Sequence, residues 1–317
     1  MDRREYLSTL LCWGGIVAST AWIVGQIWRD ASWLTGLCFY LPSPLLAVSL
    51  LFAAAFAWRS ARRWALGLLV LACGPLAFVA LIENRWTQPP VELGEGTPRR
   101  LVHWNVFDGK LGWERILTQL EAQRADAYVL SEVTGDLDFS AAAATLGSGF
   151  TSLRQGSLAI IARGTLTERV ERDHDAGQAW LVDWQLGNSR FSVLVVDLPS
   201  SIWIARRPLL EWVIGLVSEF QPDLVVGDFN APRRSNALAK LPAGYRHAYD
   251  LAGSGWSYTW PVPAPCRAID QCLVSPRLQP FSYELRSTAA SDHRMQIFDF
   301  QVRPTAFASA ASRTTAN

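Results

Sequence analysis

The sequence predicts an α/β domain carried behind about three membrane-spanning helices. Three observations predict it. Long apolar runs without charge occupy residues 7–28, 33–58 and 64–82. Beyond residue 100, short strand-like apolar runs repeatedly end on an acid or an amide. Two stretches with helical spacing of apolar residues lie between those runs, and strands alternating with helices read as an α/β unit.

The apolar runs come first in the chain. Each is about the ~20 residues needed to cross a ~30 Å hydrocarbon layer. Trp13, Trp22, Trp28, Trp33, Trp58, Trp64 and Trp86 lie mostly near their ends, where amphipathic rings sit at headgroup level. Buried soluble helices would keep a polar face, and these have almost none. Pro42 and Pro44 are expected to kink the second span. Arg59, Arg62 and Arg63 crowd the loop before the third span, Arg3 and Arg4 flank the N-terminal tip, and the first loop has only Arg29 beside Asp30. Cytoplasmic loops carry the excess of cations, so three crossings put everything after residue 82 outside the cytoplasm. Residues 7–21 also suit a cleavable signal, because Ala18, Ser19, Thr20 and Ala21 are small; the domain then lies on the same side. No span carries an internal charge, which speaks against a transporter. A net charge of +1 offers no broad basic surface for long nucleic acid.

The expected organisation is a transmembrane region at 1–82, a linker at 83–99, one domain at 100–303 and a disordered tail at 304–317. Pro89, Pro90, Gly94, Gly96 and Pro98 interrupt the linker, and Ala, Ser and Thr dominate the tail. Within the domain, 101–106 reads as a strand carrying Asn105, and 128–132 as a strand ending on Glu132. Helices are expected at 113–124 and 208–220, where Ile116, Leu117 and Leu120, and then Leu210, Val213, Ile214 and Val217, recur at helical spacing. A strand at 191–196 precedes Asp197. The run 224–226 leads into Gly227-Asp228-Phe229-Asn230-Ala231-Pro232, and 268–274 buries Asp270 in a strand pattern. Ser291-Asp292-His293 precedes a last strand at 296–302. Asp228 and Asn230, two residues apart, would share a strand face. Acids and amides are depleted in strands and costly to bury alone, so five such interruptions suggest one polar site at the strand ends. An oxygen-rich site of this kind suits a hard divalent ion, Mg²⁺ or Mn²⁺.

In order and wording the set Trp104-Asn105-Val106, Ser131-Glu132, Gly227-Asp228-Phe229-Asn230-Ala231-Pro232, Ile269-Asp270 and Ser291-Asp292-His293 resembles the endonuclease/exonuclease/phosphatase superfamily, from about Arg100 to Val302. The resemblance implies a four-layer α-β-β-α sandwich and in-line hydrolysis of a phosphate ester without a covalent intermediate. It implies Glu132 as principal metal ligand, with Asn105 nearby and Asp292 contributing. Asp228 would position or deprotonate the attacking water, and Asn230 would hydrogen-bond that water or the phosphate. His293 would bind a phosphate oxygen, and Asp270 would orient His293. Two residues depart from the family's pattern. Asp197 stands where many members have a phosphate-contacting His or Tyr, and Ser131 stands where Gln is usual. Asp197 would bind metal or meet Arg206 or Arg207; Lys110 is a further candidate for phosphate. His103 reads as structural, while His174 and His247 read as loop residues. The five cysteines form no metal pattern, and no bond is expected between Cys266 and Cys272.

The functional expectation is a membrane-anchored, metal-dependent phosphodiesterase or phosphomonoesterase. Its partners are the lipid bilayer and a phosphate ester, which is a lipid headgroup, a nucleotide or nucleic acid; no obligate protein partner is evident. Ile202-Trp203-Ile204 is either an apolar lipid contact or buried core. The alternative class is a catalytically inactive binding or scaffold protein on the same fold, for which Asp197 is the argument.

Overall fold

The computed structural model describes residues 3–88, 94, 96–135, 137–174 and 177–303. The expected tail and Pro89-Pro90 of the expected linker lie outside the described residues. The chain forms two compact units: residues 1–85 with Ile202–Arg207 and Arg234–Asn236, and the remainder.

The first unit holds α1 (Arg3–Trp28), α2 (Trp33–Phe39), α3 (Ser43–Ala57) and α4 (Arg62–Phe78), which runs into a π turn at Val79–Glu83. At 26 residues, and 22 with the π turn, α1 and α4 are long and apolar enough to cross a membrane. The span expected at 33–58 with a kink at Pro42 and Pro44 is a bent pair: α2 and α3 meet at 63°. The cause is local. Pro42 is extended at the N-cap of α3 and Pro44 sits in its first turn, where the missing N–H costs nothing but the preceding helix must stop. The helices long and apolar enough to cross a membrane therefore number two, or three with the bent pair as one span. Cys12, Trp22, Leu46, Leu50, Ala54, Leu68 and Ala72 form the unit's core, and Trp22 Nε1 donates to Ser43 Oγ at 3.1 Å inside it. Phe52, Val70 and Leu81 point outward, each more than 70% exposed.

Among the described residues the second unit has twelve strands: β1 (Arg99–Asn105), β2 (Ala127–Ser131), β3 (Phe150–Gln155), β4 (Leu158–Arg163), β5 (Thr165–His174), β6 (Gly177–Leu186), β7 (Ser189–Asp197), β8 (Leu224–Asp228), β9 (Arg246–His247), β10 (Asp270–Val274), β11 (Leu278–Arg286) and β12 (Met295–Val302). Its helices are α5 (Trp113–Gln123), α6 (Phe139–Leu146), α7 (Arg206–Phe220), whose first two residues cluster with the first unit, and α8 (Ala248–Ala252). One sheet runs β11-β12-β1-β2-β4-β3 and the other β5-β6-β7-β8-β10-β9. Each contains one parallel pair, β1 with β2 and β7 with β8, among antiparallel neighbours. The parallel pairs need crossovers, and α5 and α7 supply them.

Side-chain parity separates the layers. On β1, Leu101 joins the core shared by both sheets, while Val102 and Trp104 join Ile116, Leu120 and Phe139 of α5 and α6 on the outer face. Leu224 and Val226 of β8, and Cys272 and Val274 of β10, also enter the shared core. The helix α7 buries Leu209, Leu210, Val213 and Val217, a helical spacing. The result is two mixed sheets face to face with helices outside them. His174, expected in a solvated loop, ends β5 with its ring 5.4 Å from Trp212. His247, also expected in a loop, is half-buried in β9. All five cysteines are free thiols.

Candidate active site

The parity that builds the core also builds the site. Asn105 ends β1 in step with Leu101, and Ser131 ends β2 in step with Val129. Asp228 ends β8 in step with Val226, and Asp270 opens the antiparallel β10 in step with Cys272. Each polar group thus occupies the inner face at one end of the sandwich. Residues 228 and 270 are direct register partners, as are 197 and 228.

The backbone at these ends is unusual. Phe107, Asp108, Glu132 and Asn230 all take left-handed φ values between 44° and 55°, a conformation that is uncommon off glycine and concentrates where side chains must be aimed. Asn230 therefore does not share a strand face with Asp228 as its spacing suggests, because β8 stops at Asp228. The Asn230 backbone N–H donates to Asp228 Oδ1 at 2.8 Å, and Asn230 Nδ2 donates to the Leu198 carbonyl at 2.8 Å. The amide works first as a turn former.

Asn105, Asp228, His293 and Asp270 form one buried chain. Asn105 Nδ2 donates to Asp228 Oδ2 at 2.9 Å, while Asn105 Oδ1 accepts the Phe107 N–H at 3.0 Å. His293 Nδ1 donates to Asp270 Oδ2 at 2.8 Å, and His293 Nε2 lies 3.9 Å from Asp228 Oδ2. Two bonds hold the loop bearing His293 against β1, and a third braces the loop internally. Ser291 Oγ donates to the Asn105 carbonyl at 2.7 Å, the His293 N–H donates to Ser291 Oγ at 3.0 Å, and Trp104 Nε1 donates to the His293 carbonyl at 3.0 Å.

Electrostatics follow from burial and proximity. Burial pushes the Asp228 carboxyl well above its usual range, helped by Asp270 and opposed by His293. Burial alone would lower His293, but Asp270 first and Asp228 next outweigh it, so the imidazole is pushed up to about 10. Burial would likewise raise Asp270, yet its contacts with His293 hold it below the ordinary carboxylate value. An imidazolium clamped by a carboxylate is the outcome.

The other expected site residues fall into three groups. Asp292 neighbours this chain; its Oδ2 accepts from Trp260 Nε1 at 2.9 Å, and its Oδ1 is buried with no hydrogen-bond partner among the described residues. Asp270 Oδ1 is in the same condition. Buried carboxylate oxygens left so are costly, and a divalent cation relieves that cost. Glu132 follows β2 half-buried, and its charge reaches both Asp197 and Lys110. The donor set of Glu132, Asp292 Oδ1 and the second lone pair of Asn105 Oδ1 is all oxygen and fits a hard cation. Ligand atoms of Asp228, Asp270 and His293 also lie within 4.8 Å of one another, close enough to hold a metal.

Arg206 is buried and clusters with the first unit rather than with this site. Asp197 instead accepts from Ser157 Oγ at 2.7 Å. Lys110 is exposed, paired with Asp108 at 2.7 Å over the Phe107 ring. His103 is structural, as expected. Gln296 Nε2 donates to its Nδ1 at 2.8 Å, so its Nε2–H donates to Ser131 Oγ at 3.0 Å. Burial lowers its pKa to about 4, which leaves it neutral. Ser131 thus serves as the partner of a structural histidine.

Three further residues support the site. Trp260 aims Asp292, Thr259 Oγ1 accepts the Asp270 N–H at 3.3 Å, and Ser157 holds Asp197. Trp260 and Thr259 stand in a strand-like polar-aromatic word, Tyr258-Thr259-Trp260-Pro261, which was the available signal. Ser157 offered none.

Asp197 supports a pH prediction. Burial pushes its carboxyl up to about 7, with Glu132 and Asp270 adding and Ser157 and His293 opposing. The folded chain then holds a proton that the unfolded chain releases near the ordinary value, so stability falls as pH rises from about 4 to about 7. Asp197→Asn removes that slope. Thermal unfolding at pH 8 should show the variant more stable by on the order of 2 kcal/mol; equal slopes in both proteins would refute it.

The family model described as Endonuclease/Exonuclease/phosphatase family matches residues 102–293, more than half of the chain. Solved structures share the fold. An endonuclease/exonuclease/phosphatase family protein from Bacteroides thetaiotaomicron has a TM-score of 0.53 at 14% identity, covering 67% of this chain and 100% of its own. The Bacteroides vulgatus endonuclease/exonuclease/phosphatase gives 0.53 at 19%, covering 65% and 100%. D. rerio TDP2, solved with a single-strand DNA product, gives 0.50 at 17%, covering 65% and 100%. No curated protein matches the chain in sequence. With the model spanning β1 through His293 and the two-sheet architecture alike, the chain belongs to the endonuclease/exonuclease/phosphatase family.

Proposed function

We propose that the protein is a membrane-anchored, metal-dependent phosphoesterase whose hydrolytic domain, residues 100–303, lies outside the cytoplasm. The observation that carries the hydrolytic reading is the continuous chain Asn105–Asp228–His293–Asp270, in which each side chain sets the state of the next. A carboxyl raised by burial is a stronger base than a free one, and this suits Asp228 to hold and deprotonate the attacking water. Asn105 keeps Asp228 from turning away. His293, protonated at neutral pH and fixed by Asp270, is placed to donate to a phosphate oxygen as charge grows there. Asn230, fixed by its bonds to Asp228 and the Leu198 carbonyl, would contact the water or the phosphate.

A Mg²⁺ or Mn²⁺ ion, once bound, would polarise the phosphoryl oxygen and offset its charge. Glu132, Asp292 and Asn105 are the residues that would hold it. We favour this set over the Asp228, Asp270 and His293 cluster, because an imidazole that keeps its proton has no lone pair for a metal.

The anchoring reading rests on the first unit. Segments 202–207 and 234–236 come after α4 in the chain, yet they cluster with α1 to α4. Asn236 Nδ2 donates to the Trp28 carbonyl at 3.0 Å, and Arg234 Nη1 to Gln26 Oε1 at 3.2 Å. This clustering supports a topology in which the end of α1 and the chain beyond α4 share one side of the bilayer. An odd number of crossings satisfies that, with α2 and α3 as one bent span; two crossings do not. The cations Arg59, Arg62 and Arg63 favour a cytoplasmic α3–α4 loop, which supports the outer location.

The test is hydrolysis of bis-p-nitrophenyl phosphate and p-nitrophenyl phosphate by the full chain in detergent, with Mg²⁺, Mn²⁺ or EDTA. Release should require metal, and Glu132→Ala should lower it about a hundredfold or more. Folded protein that binds Mn²⁺ and cleaves neither ester would sink the enzyme reading in favour of a binding or scaffold protein.

A further inference from the structure

Ile202 and Trp203 present the most conspicuous apolar surface of the chain outside the long helices. Trp203 is 73% exposed and Ile202 51%, so this run is not buried core. The segment is nonetheless built. Trp33, at the start of α2, stacks on Trp203 with centroids 6.0 Å apart and planes at 26°. Trp33 Nε1 donates to the Ile202 carbonyl at 3.2 Å, and Arg207 Nη1 donates to the Ala31 carbonyl at 3.3 Å. Trp28, Trp33 and Leu34 at the α1–α2 turn are themselves exposed.

We propose that Ile202 and Trp203, together with Trp28, Trp33 and Leu34, form a patch that inserts into the outer headgroup–acyl boundary of the bilayer, so that the hydrolytic domain is fastened to the lipid surface a second time beyond its helices. This rests on the membrane-anchored reading above. Three features select lipid as the occupant. The patch is continuous with the end of α1, a helix long and apolar enough to cross the membrane. Its composition is aromatic with flanking arginines, Arg29 and Arg207, which is the composition of the interfacial belt, where a ring's polar edge stays wet and its body does not. An exposed Trp pair is also costly in water, and burial in acyl chains recovers about 25 cal/mol per Å² of apolar surface.

The experiment uses the full chain, labelled with 5-fluorotryptophan, in phosphatidylcholine–phosphatidylglycerol nanodiscs. The ¹⁹F line of Trp203 is identified by its loss in Trp203→Phe, that of Trp13 in α1 by Trp13→Phe, and that of buried Trp180 by Trp180→Phe. A doxyl-labelled phosphatidylcholine is added to the discs, and a gadolinium chelate to the water. The expected result is Trp203 broadened several-fold by the lipid nitroxide relative to Trp180, and only weakly by the chelate. Trp203 broadened by the chelate alone would overturn the proposal, as would Trp203 insensitive to both, which is the outcome for a second copy or a protein partner covering the patch. Trp13 separates the two readings: a Trp13 line untouched by the lipid nitroxide means that the anchored reading has failed first.

Discussion

His293→Ala should lower kcat for phosphodiester cleavage by about a thousandfold, near 4 kcal/mol of transition-state stabilisation. The side chain removed is the proposed donor to the phosphate oxygen, and it sits between Asp270 at 2.8 Å and Asp228 at 3.9 Å. Its loss also leaves two buried carboxylates facing each other without a cation, so the variant should unfold more easily, by about 3 kcal/mol. Asp270→Asn separates the two roles. The ring and its position remain, but the charge holding its proton is gone. In the native chain His293 is pushed up to about 10, so its contribution to stability and to phosphate binding is complete below about pH 6.5 and is lost as pH rises through about 10. In Asp270→Asn the alkaline limb of the kcat profile should move down toward the ordinary imidazole value. A profile that stays in place would mean that His293 is not the group being titrated.

Gly227→Ala should be the most damaging single methyl group in the chain, at on the order of 3 kcal/mol with the loss of most activity. Gly227 has a φ of 157°, and a Cβ there would overlap the Val196 carbonyl oxygen and backbone of the adjacent parallel strand. The sheet must open at β7–β8, directly before Asp228 and beside Asp197. Chemical denaturation would measure the loss. Metal-dependent cleavage at native rate in a stable Gly227→Ala variant would show that this close approach has no bearing on the site.

Strand ends, helix stripes and the polar words between them were legible because each is a local pattern. The helices at Trp113–Gln123 and Arg206–Phe220 lie within two residues of the expected spans, since apolar spacing decides which face a helix buries. The strands β3, β4, β5 and β6 were not singled out. Leu158–Arg163 is buried along almost its whole length and shows no alternation, whereas Thr165–His174 is largely exposed, so neither has the period-two signature of a half-buried strand. Within the site, Asn105, Asp228, Asp270 and His293 were all named in advance as members of one cluster. The strand face that the spacing of Asp228 and Asn230 implies is not formed, because a turn at positive φ overrides the alternation. The pairing of Asp197 with Ser157 rather than Arg206 joins residues 40 positions apart, and local pattern carries no trace of it.

The sequence by itself determined that apolar helices precede an α/β domain, and which acids and amides stand at its strand ends. Both follow from local rules: uncharged runs match a bilayer's thickness, and polar groups at strand ends need a common partner. Only the tertiary structure decided what each of those groups does. Whether a carboxyl is a strong base, the clamp of an imidazolium or a site for an unmatched lone pair depends on burial and on neighbours a few ångströms away. Those distances are set by the meeting of two sheets and by one loop tied back to β1, neither of which any stretch of sequence contains.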